Sequence, residues 1–452
     1  MQDSNKITVV FGPNGSGKTQ WVEQLRRQLA SDSVRYLAFS DAYGPATDKA
    51  YYLQLRWNQH DIDPETPTVG QLLEKRKRES TAWSADGTAT SAANEEWIDQ
   101  LYDLFSMRQL LDKYVILLSS GELRKFQLIK TLISHPTTLI LDNPYIGLDA
   151  EARNQLNTLF PMLAHQQGIR LYLLLSRSAD MPSFADEIIN TESFNEATNH
   201  NSQFSARPKD ACKARILRSA TSGDALLAKN SQLVIDMKDV NIRYGERTIL
   251  RDLDWQVREG ERWALLGENG SGKSTLLSLI CADNPQSYAC DITLFGQQRG
   301  TGESIWEIKK RIGYVSPEMH RSYLRSIPAL LVVASGLKDT VGLYVRPTEA
   351  ERQQCLWWMR LFDVEALADR PFTQLSSGEQ RLVLVVRAFV KDPELLILDE
   401  PLHGLDDHNR FLVRQQIEAF CARRSKTLIM VTHYEEELPQ CITHRLYLKR
   451  QE

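Results

Sequence analysis

The stretch Gly267–Thr275 reads GENGSGKST, and it decides the fold of this chain. Its glycines let successive backbone N–H groups turn toward an anion, Lys273 places an ammonium at the β- and γ-phosphates, and Ser274 offers a hydroxyl to Mg²⁺. An apolar strand is predicted before it (Trp263–Leu266) and an apolar helix after it, beginning near Leu276. This context favours a phosphate loop at a helix N-terminus. The predicted nucleotide-binding residues of this loop are Gly267, Asn269, Gly270, Ser271, Gly272, Lys273, Ser274 and Thr275.

The chain carries this loop twice, because Gly12–Thr19 reads GPNGSGKT. Lys18 and Lys273 lie 255 positions apart. Two further pairs repeat at an offset of 257, namely Leu117–Leu123 with Gln374–Gln380 and Leu139–Asp149 with Leu396–Asp406. A near-constant offset over several motifs indicates a duplicated domain. The nucleotide-binding residues predicted for the first loop are Gly12, Asn14, Gly15, Ser16, Gly17, Lys18 and Thr19.

The repeat divides the chain into a first domain at 1–190, a polar linker at 191–230 and a second domain at 231–452. In the first domain, a polar and largely helical insert is predicted from about Tyr51 to Leu117, with a loose loop at Thr81–Asn94. The second domain opens with two predicted strands, Leu233–Tyr244 and Arg247–Val257, and has its helical insert between about Leu324 and Phe372.

Composition limits the class of protein. The 452 residues are 42% hydrophobic and 25% charged, as in ordinary globular domains, and the formal net charge of -4 gives no strong nucleic-acid signal. Six cysteines without metal-ligand spacing indicate reduced thiols. The sequence shows neither a secretory leader nor an apolar run long enough to span a membrane, so we expect a cytoplasmic protein.

The strand predicted at Leu396–Leu398 ends in Asp399-Glu400, which supplies the expected hydrolytic chemistry. An aspartate at this position holds Mg²⁺ through water, and the next carboxylate polarises the water that attacks the γ-phosphate. His433 follows the strand predicted at Thr427–Val431 and is expected to contact the γ-phosphate and orient that water. The predicted metal ligands are Ser274 and Asp399 in the second copy, and Thr19 and Asp142 in the first.

The sequence LSSGE opens a predicted helix in each copy. Ser119 and Ser376 are suitable N-caps, and Gly121 and Gly378 allow backbone N–H groups to approach a phosphate. The motif recurs about 23 residues before each Asp142- or Asp399-type carboxylate, so we interpret these four residues as nucleotide-binding.

This ordered set of motifs resembles the ATP-binding cassette (ABC) proteins over nearly all of the chain except the linker. The resemblance implies ATP and Mg²⁺ as cofactors, and an α/β fold with two P-loop NTPase domains. Each would have a RecA-like core, a small antiparallel β subdomain and an inserted helical subdomain. It also implies head-to-tail pairing, in which the phosphate loop of one copy is completed by the LSSGE motif of the other. Tyr244 matches the aromatic residue that stacks on adenine in this family.

The first copy departs from the family pattern. Asn143 stands where the second copy has Glu400, and we match Arg177 to His433. Only eleven residues precede the first loop, too few for the upstream strands that carry an adenine-stacking residue. We therefore predict one hydrolytic site and one site that binds ATP with little or no turnover. The family's Q-loop glutamine is also absent, and Asp41 and Glu318 are the acidic residues nearest to its place.

Two segments, YYLQLRWN (Tyr51–Asn58) and VVASGLKDTVGLY (Val332–Tyr344), resemble the ModF-like (PhrA) tandem ABC proteins associated with molybdate transport. Three functions remain open. The chain is a tandem ABC ATPase serving transport or another cytosolic process, the ATPase subunit of a transporter whose membrane permease is another chain, or an ABC ATPase that acts on the ribosome or nucleic acid. The second would place it at the inner face of the membrane, and the missing Q-loop glutamine weighs against it. The third is disfavoured by the polar linker and by Asn143.

Overall fold

The computed structural model describes residues 6–29, 33–38, 66–83, 91–118, 120–145, 148, 150–191, 232–244, 247–268, 270–317, 319, 323, 326–341, 345–432 and 434–450. The chain divides into two compact parts, a first unit at Met1–Asn201 and a second unit at Ser202–Glu452. Predictions for the linker beyond Thr191, for Tyr51–Asn58, and for Asp41, Glu318, Ser119, Asn269 and His433 lie outside the described residues.

A parallel five-stranded sheet forms the centre of the first unit, in the order β2-β3-β4-β1-β5. Its strands are β1 (Ile7–Phe11), β2 (Val34–Ala38), β3 (Thr138–Asp142), β4 (Arg170–Leu175) and β5 (Glu187–Asn190). Short apolar runs form the central strands because both faces of a parallel sheet are covered by helices. The apolar runs Leu139–Leu141 and Leu171–Leu175 illustrate this, because they lie within β3 and β4.

The helices of the first unit are α1 (Lys18–Leu29), α2 (Val69–Trp83), α3 (Ser91–Leu104), α4 (Ser120–Leu132) and α5 (Ala150–His165). The helical insert therefore includes α2 and α3, whose apolar residues Leu73, Trp97 and Leu101 are buried in the core. The loose loop predicted at Thr81–Asn94 is wrong at both ends, because α2 continues to Trp83 and α3 already begins at Ser91. Serine, alanine and threonine are compatible with a helix that packing stabilises, so their abundance did not exclude one.

The second unit repeats this core. Its parallel sheet has the order β11-β12-β13-β8-β14, which places each strand as its counterpart in the first unit. The strands are β8 (Arg262–Gly267), β11 (Ile312–Val315), β12 (Leu395–Asp399), β13 (Thr427–Val431) and β14 (His444–Leu448). The duplication inferred from sequence offsets is thus reproduced in strand order, and the predicted P-loop α/β fold is confirmed.

An antiparallel sheet of order β10-β9-β6-β7 accompanies this core in the second unit. Its strands are β6 (Leu233–Tyr244), β7 (Arg247–Arg258), β9 (Asp291–Leu294) and β10 (Gln297–Gln298). The described residues of the first unit contain no such sheet, so the antiparallel subdomain that the family resemblance implied for each copy is found only in the second.

The remaining helices of the second unit are α6 (Lys273–Ile280), α7 (Ile305–Arg311), α8 (Ala329–Ser335), α9 (Glu349–Leu361), α10 (Ser377–Phe389) and α11 (Asp407–Cys421). The predicted helical insert corresponds to α8 and α9, which pack on α10 around one buried cluster that includes Val332, Met359 and Phe389. None of the helices that the structure describes combines the length and hydropathy needed to cross a bilayer.

Two candidate nucleotide sites

The phosphate loop of the second unit joins β8 to α6, as its sequence predicts. Gly272, the residue before α6, has a φ of +95°. A Cβ at this position would lie 3.0 Å from side-chain atoms of both Ile249 and Leu250 on β7. Glycine is therefore required twice, by the backbone conformation and by the close approach of the antiparallel sheet.

The loop lysines of the two units make the same contacts. Lys273 Nζ donates to the carbonyl oxygens of Gly267 at 2.6 Å and Glu268 at 2.8 Å. Lys18 Nζ donates to those of Gly12 at 2.5 Å and Pro13 at 2.7 Å. Each ammonium is thus held inside its own loop, where it can exchange carbonyl partners for phosphate oxygens.

The charge of Lys273 is set by two opposing effects. Burial lowers the pKa of the ammonium, and the nearby carboxylates of Glu400, Asp399 and Glu268 act in the opposite direction. These carboxylates therefore lie close enough to Lys273 to favour its ammonium form. The predicted lysine and acidic residues of the second unit belong to a single site.

An arginine that was not identified from the sequence holds the backbone of Asp399 and Glu400. Buried Arg381 on α10 donates from Nη2 to the carbonyl oxygens of Asp399 at 2.9 Å and Glu400 at 2.5 Å, and from Nη1 to that of Ser316 at 2.8 Å. Arg381 lies five residues after Ser376, so the helix opened by LSSGE carries the support of the acidic pair. The signal for this role in the sequence was a charged residue directly before the apolar run Leu382–Val386.

Glu400 has a left-handed backbone, with a φ of +48°. Its carboxylate Oε2 lies 2.9 Å from Nδ1 of His403. Asn143 in the first unit has nearly the same φ, +51°, and its N–H donates to Leu174 O just as that of Glu400 donates to Val431 O. The two residues therefore occupy equivalent positions, as the sequence alignment predicted.

The acidic residue of the first unit is already engaged by neutral donors. Asp142 accepts hydrogen bonds from Tyr36 Oη at 2.8 Å and from Asn143 Nδ2 at 2.9 Å. Burial raises the pKa of this carboxyl, and the Tyr36 hydroxyl, Lys18 and the Asn143 amide oppose the rise. The Asn143 amide, which stands where the second unit has Glu400, thus bonds to the predicted metal ligand.

The match of Arg177 to His433 is wrong. Strand register pairs Asp142 with Leu174 and Asp399 with Val431, so Ser176 stands where the second copy has His433. Arg177 is one residue further on and makes an ion pair of 3.7 Å with Asp180. The alignment of the two copies was wrong by one residue because this segment has few identical residues. The strand register defines the equivalent positions directly. Ser176 Oγ is buried and has no hydrogen-bond partner among the described residues.

The serines inside the two loops differ in their contacts. Ser16 Oγ lies 2.7 Å from Oγ1 of Thr191, a fully buried residue that follows β5. The equivalent Ser271 Oγ is buried and has no partner in the part of the chain that the structure describes. Sequence reasoning missed Thr191 because it lies 175 residues from Ser16.

The LSSGE helix of the second unit begins as predicted. Ser376 is the N-cap of α10, its hydroxyl accepts from Glu379 N at 3.3 Å, and the Glu379 side chain accepts from Ser376 N at 2.8 Å. Gly378 is buried in the first turn of the same helix. Gly121 is the second residue of α4, the corresponding helix of the first unit.

Tyr244, the predicted adenine-stacking residue, ends β6 and is half-buried. Its hydroxyl accepts a hydrogen bond of 3.0 Å from Asn284 Nδ2, which also donates to Ser278 Oγ on α6 at 3.2 Å. Tyr244 pairs with Arg247 at the start of β7, the strand that also contacts Gly272. The tyrosine is therefore connected to the phosphate loop through both the helix and the strand.

Comparison with known proteins gives consistent results. The family model described as ABC transporter matches residues 3–146 and 250–403. The chain is 40% identical to the ABC transporter ATP-binding protein ModF of Escherichia coli, over 96% of this chain and 89% of that protein. It is 31% identical to an uncharacterized ABC transporter ATP-binding protein of Schizosaccharomyces pombe, over 78% of this chain and 74% of that protein. Among solved structures, the dimeric structure of a bacterial ABC transporter cassette matches at 25% identity and a TM-score of 0.40, covering 48% of this chain and 94% of that one.

Proposed function

The chain belongs to the ABC transporter family as a tandem ATP-binding protein that resembles ModF, and we propose that its second unit hydrolyses ATP while its first unit binds ATP with little or no turnover. The observation that carries this proposal is that one backbone position, equivalent in the two units, is occupied by different residues. Glu400 and Asn143 share a left-handed turn at the end of equivalent strands, and only the former is a carboxylate. An amide cannot accept the proton of an attacking water.

The second unit supplies the groups that the reaction needs. We assign Lys273 to the β- and γ-phosphates, and Tyr244 to the adenine. The Ser274 hydroxyl and the Asp399 carboxylate are hard oxygen donors that fit Mg²⁺, and this ion would neutralise charge that develops on the phosphates. Glu400 polarises the water, and His433 is the proposed contact to the γ-phosphate. The backbone N–H groups of Gly270 and Gly272 turn toward the same anion.

By analogy with paired cassettes, we propose that each nucleotide is completed by the LSSGE motif of the other unit. Ser119 and Gly121 would then serve the hydrolytic site, and Ser376 and Gly378 would serve the site at Gly12–Thr19. In the first unit, Thr19 and Asp142 are the corresponding metal ligands. Buried Ser176 stands there at the position that His433 has in the second unit.

Steady-state ATPase activity of two variants tests this assignment. Glu400→Gln should lower turnover by at least about a hundredfold, because it removes the catalytic carboxylate. Asn143→Ala should leave turnover within twofold of the wild type, which makes it the matched control. Equal losses in the two variants would contradict the proposed asymmetry.

We further propose that the ATPase is the ATP-binding component of a transport system whose permease is supplied by another chain. The name of the Escherichia coli relative supports this role. The resemblance of Tyr51–Asn58 and Val332–Tyr344 to tandem ABC proteins associated with molybdate transport suggests molybdate-like oxyanions as the cargo class. On this proposal the protein acts in the cytoplasm at the inner face of the membrane. Fractionation of native lysate provides the test, since co-purification with membranes supports the proposal and co-purification with ribosomes supports the alternative.

A further inference from the structure

We propose that His403 is a positioning residue that holds the carboxylate of Glu400 in the orientation for water activation. This inference rests on the hydrolytic role proposed for Glu400 and extends the site by one residue. His403 lies three residues after Glu400, within the turn that joins β12 to α11. Neither the phosphate loop nor the LSSGE motif includes this position.

The geometry of the turn brings the two side chains together. His403 N donates to Glu400 O at 3.1 Å, which closes a turn over Pro401 and Leu402. The side chains of the same two residues also meet, because His403 Nδ1 lies 2.9 Å from Glu400 Oε2. The exposed fractions of the two side chains are only 13% and 18%. A hydrogen bond at this distance and degree of burial restricts a glutamate that would otherwise rotate about three bonds.

The direction of this hydrogen bond follows from the chemistry of the pair. An ionised carboxylate can only accept hydrogen bonds, so the hydrogen between the two groups is carried by Nδ1 of the imidazole. The bond holds Oε2 and thereby fixes the orientation in which the Glu400 carboxylate meets the attacking water. Catalytic groups that are held in place before the reaction avoid an entropic cost in the transition state.

The first unit lacks both partners. Asn143 replaces Glu400, and Ile146 stands at the position 257 residues before His403. An isoleucine side chain has no hydrogen-bonding atom. The imidazole is therefore present in the copy that has a carboxylate to orient, and absent from the copy that has none.

The backbone of the turn does not depend on the imidazole. Its closing hydrogen bond is made by main-chain atoms, and Gly404 adopts the left-handed conformation that follows, with a φ of +75°. Arg381 Nη2 also donates a hydrogen bond to the carbonyl oxygen of Glu400. A substitution at His403 should therefore affect the carboxylate more than the fold.

Two substitutions of His403 test the inference through a comparison of kcat with KM for ATP. His403→Leu removes the donor and should lower kcat by about tenfold, the range typical of groups that orient a catalytic residue, with KM within twofold of wild type. His403→Asn places an amide N–H close to the former Nδ1 and should restore most of the lost kcat. His408→Leu, at an exposed position on α11, is the control and should leave both constants unchanged.

An unchanged kcat in His403→Leu overturns the inference, and so does a lower kcat that His403→Asn fails to restore. The double variant His403→Leu/Glu400→Gln should be no slower than Glu400→Gln alone, because there is then no carboxylate to orient. Glu400→Gln also separates the two proposals. If it retains wild-type turnover, the proposed function itself is wrong; if it is inactive while His403→Leu is fully active, only the role of His403 is wrong.

Discussion

Glu400 and Asn143 show how one backbone position serves two different purposes. Left-handed backbone is tolerated by asparagine, whose short side chain can bond locally, and is unfavourable for a longer residue such as glutamate. The second unit therefore retains a strained residue at the proposed catalytic position, and the first unit has the residue that suits the turn. Strain that persists at one of two equivalent positions is typical of a functional requirement.

This comparison predicts opposite effects of one substitution on activity and stability. Glu400→Asn should abolish turnover as Glu400→Gln does, yet should be more stable than Glu400→Gln by about 0.5–1 kcal/mol, because asparagine relieves the backbone strain. Thermal unfolding of the two inactive variants measures the difference. Equal melting temperatures would show that the turn carries no strain.

The loop serines predict a second difference between the units. Ser16→Ala should destabilise the nucleotide-free protein by about 1 kcal/mol, because the buried Thr191 hydroxyl loses a partner. Ser271→Ala should cost less than half of that, because Ser271 Oγ has no partner among the described residues. Urea unfolding without nucleotide measures both changes, and a larger cost for Ser271→Ala would contradict this reading of the contacts.

Among the elements, strands and helix starts were predictable where a local signal exists. The strands Leu233–Tyr244 and Thr427–Val431 and the N-cap Ser376 were identified from alternation, apolar runs and capping chemistry. The ends of α2 and α3 were not, because polar helices are stabilised by tertiary packing that composition does not reveal. The contact of Ser16 with Thr191 depends on the order of strands and has no local signal at all.

The helix α10 allows its capping role to be separated from its proposed role in nucleotide binding. Ser376→Ala removes a capping box and should destabilise the protein by about 1 kcal/mol. Thr348→Ala removes the same kind of capping box, formed with Glu351 at the start of α9, and should cost a similar amount. Only Ser376→Ala should also weaken ATP binding, measured by equilibrium titration with a fluorescent ATP analogue. Similar affinities in the two variants would restrict Ser376 to a structural role.

For the whole molecule, the sequence predicted duplication because the motif offsets are nearly constant, and the common strand order agrees. It also predicted that the copies are unequal, since Asn143 stands where the second copy has Glu400. The assignment of Arg177 failed because the segment after β4 shares few residues with its counterpart, whereas the pairing of Asp142 with Leu174 identifies Ser176 as the equivalent position.

The proposed difference between the units predicts that variants differ in the amount of ATP that they retain. After incubation with ATP and Mg²⁺ and rapid desalting, Glu400→Gln should retain more ATP than wild type, because neither site then cleaves it.

In single-turnover assays, Lys273→Ala should remove the fast phase of phosphate release, and Lys18→Ala should retain a fast phase. A fast phase that survives in Lys273→Ala would place hydrolysis in the first unit.

The shared turn at Glu400 and Asn143 has a further consequence for how such a chain can change over generations. Replacing the strained glutamate with asparagine gains fold stability, whereas the reverse change loses it. Mutations that inactivate one site are therefore energetically easy, and their reversal is opposed even before activity is considered. The turn therefore favours change in one direction, from glutamate to asparagine. When selection maintains hydrolysis at one site of a duplicated chain, the other site can become one that only binds nucleotide.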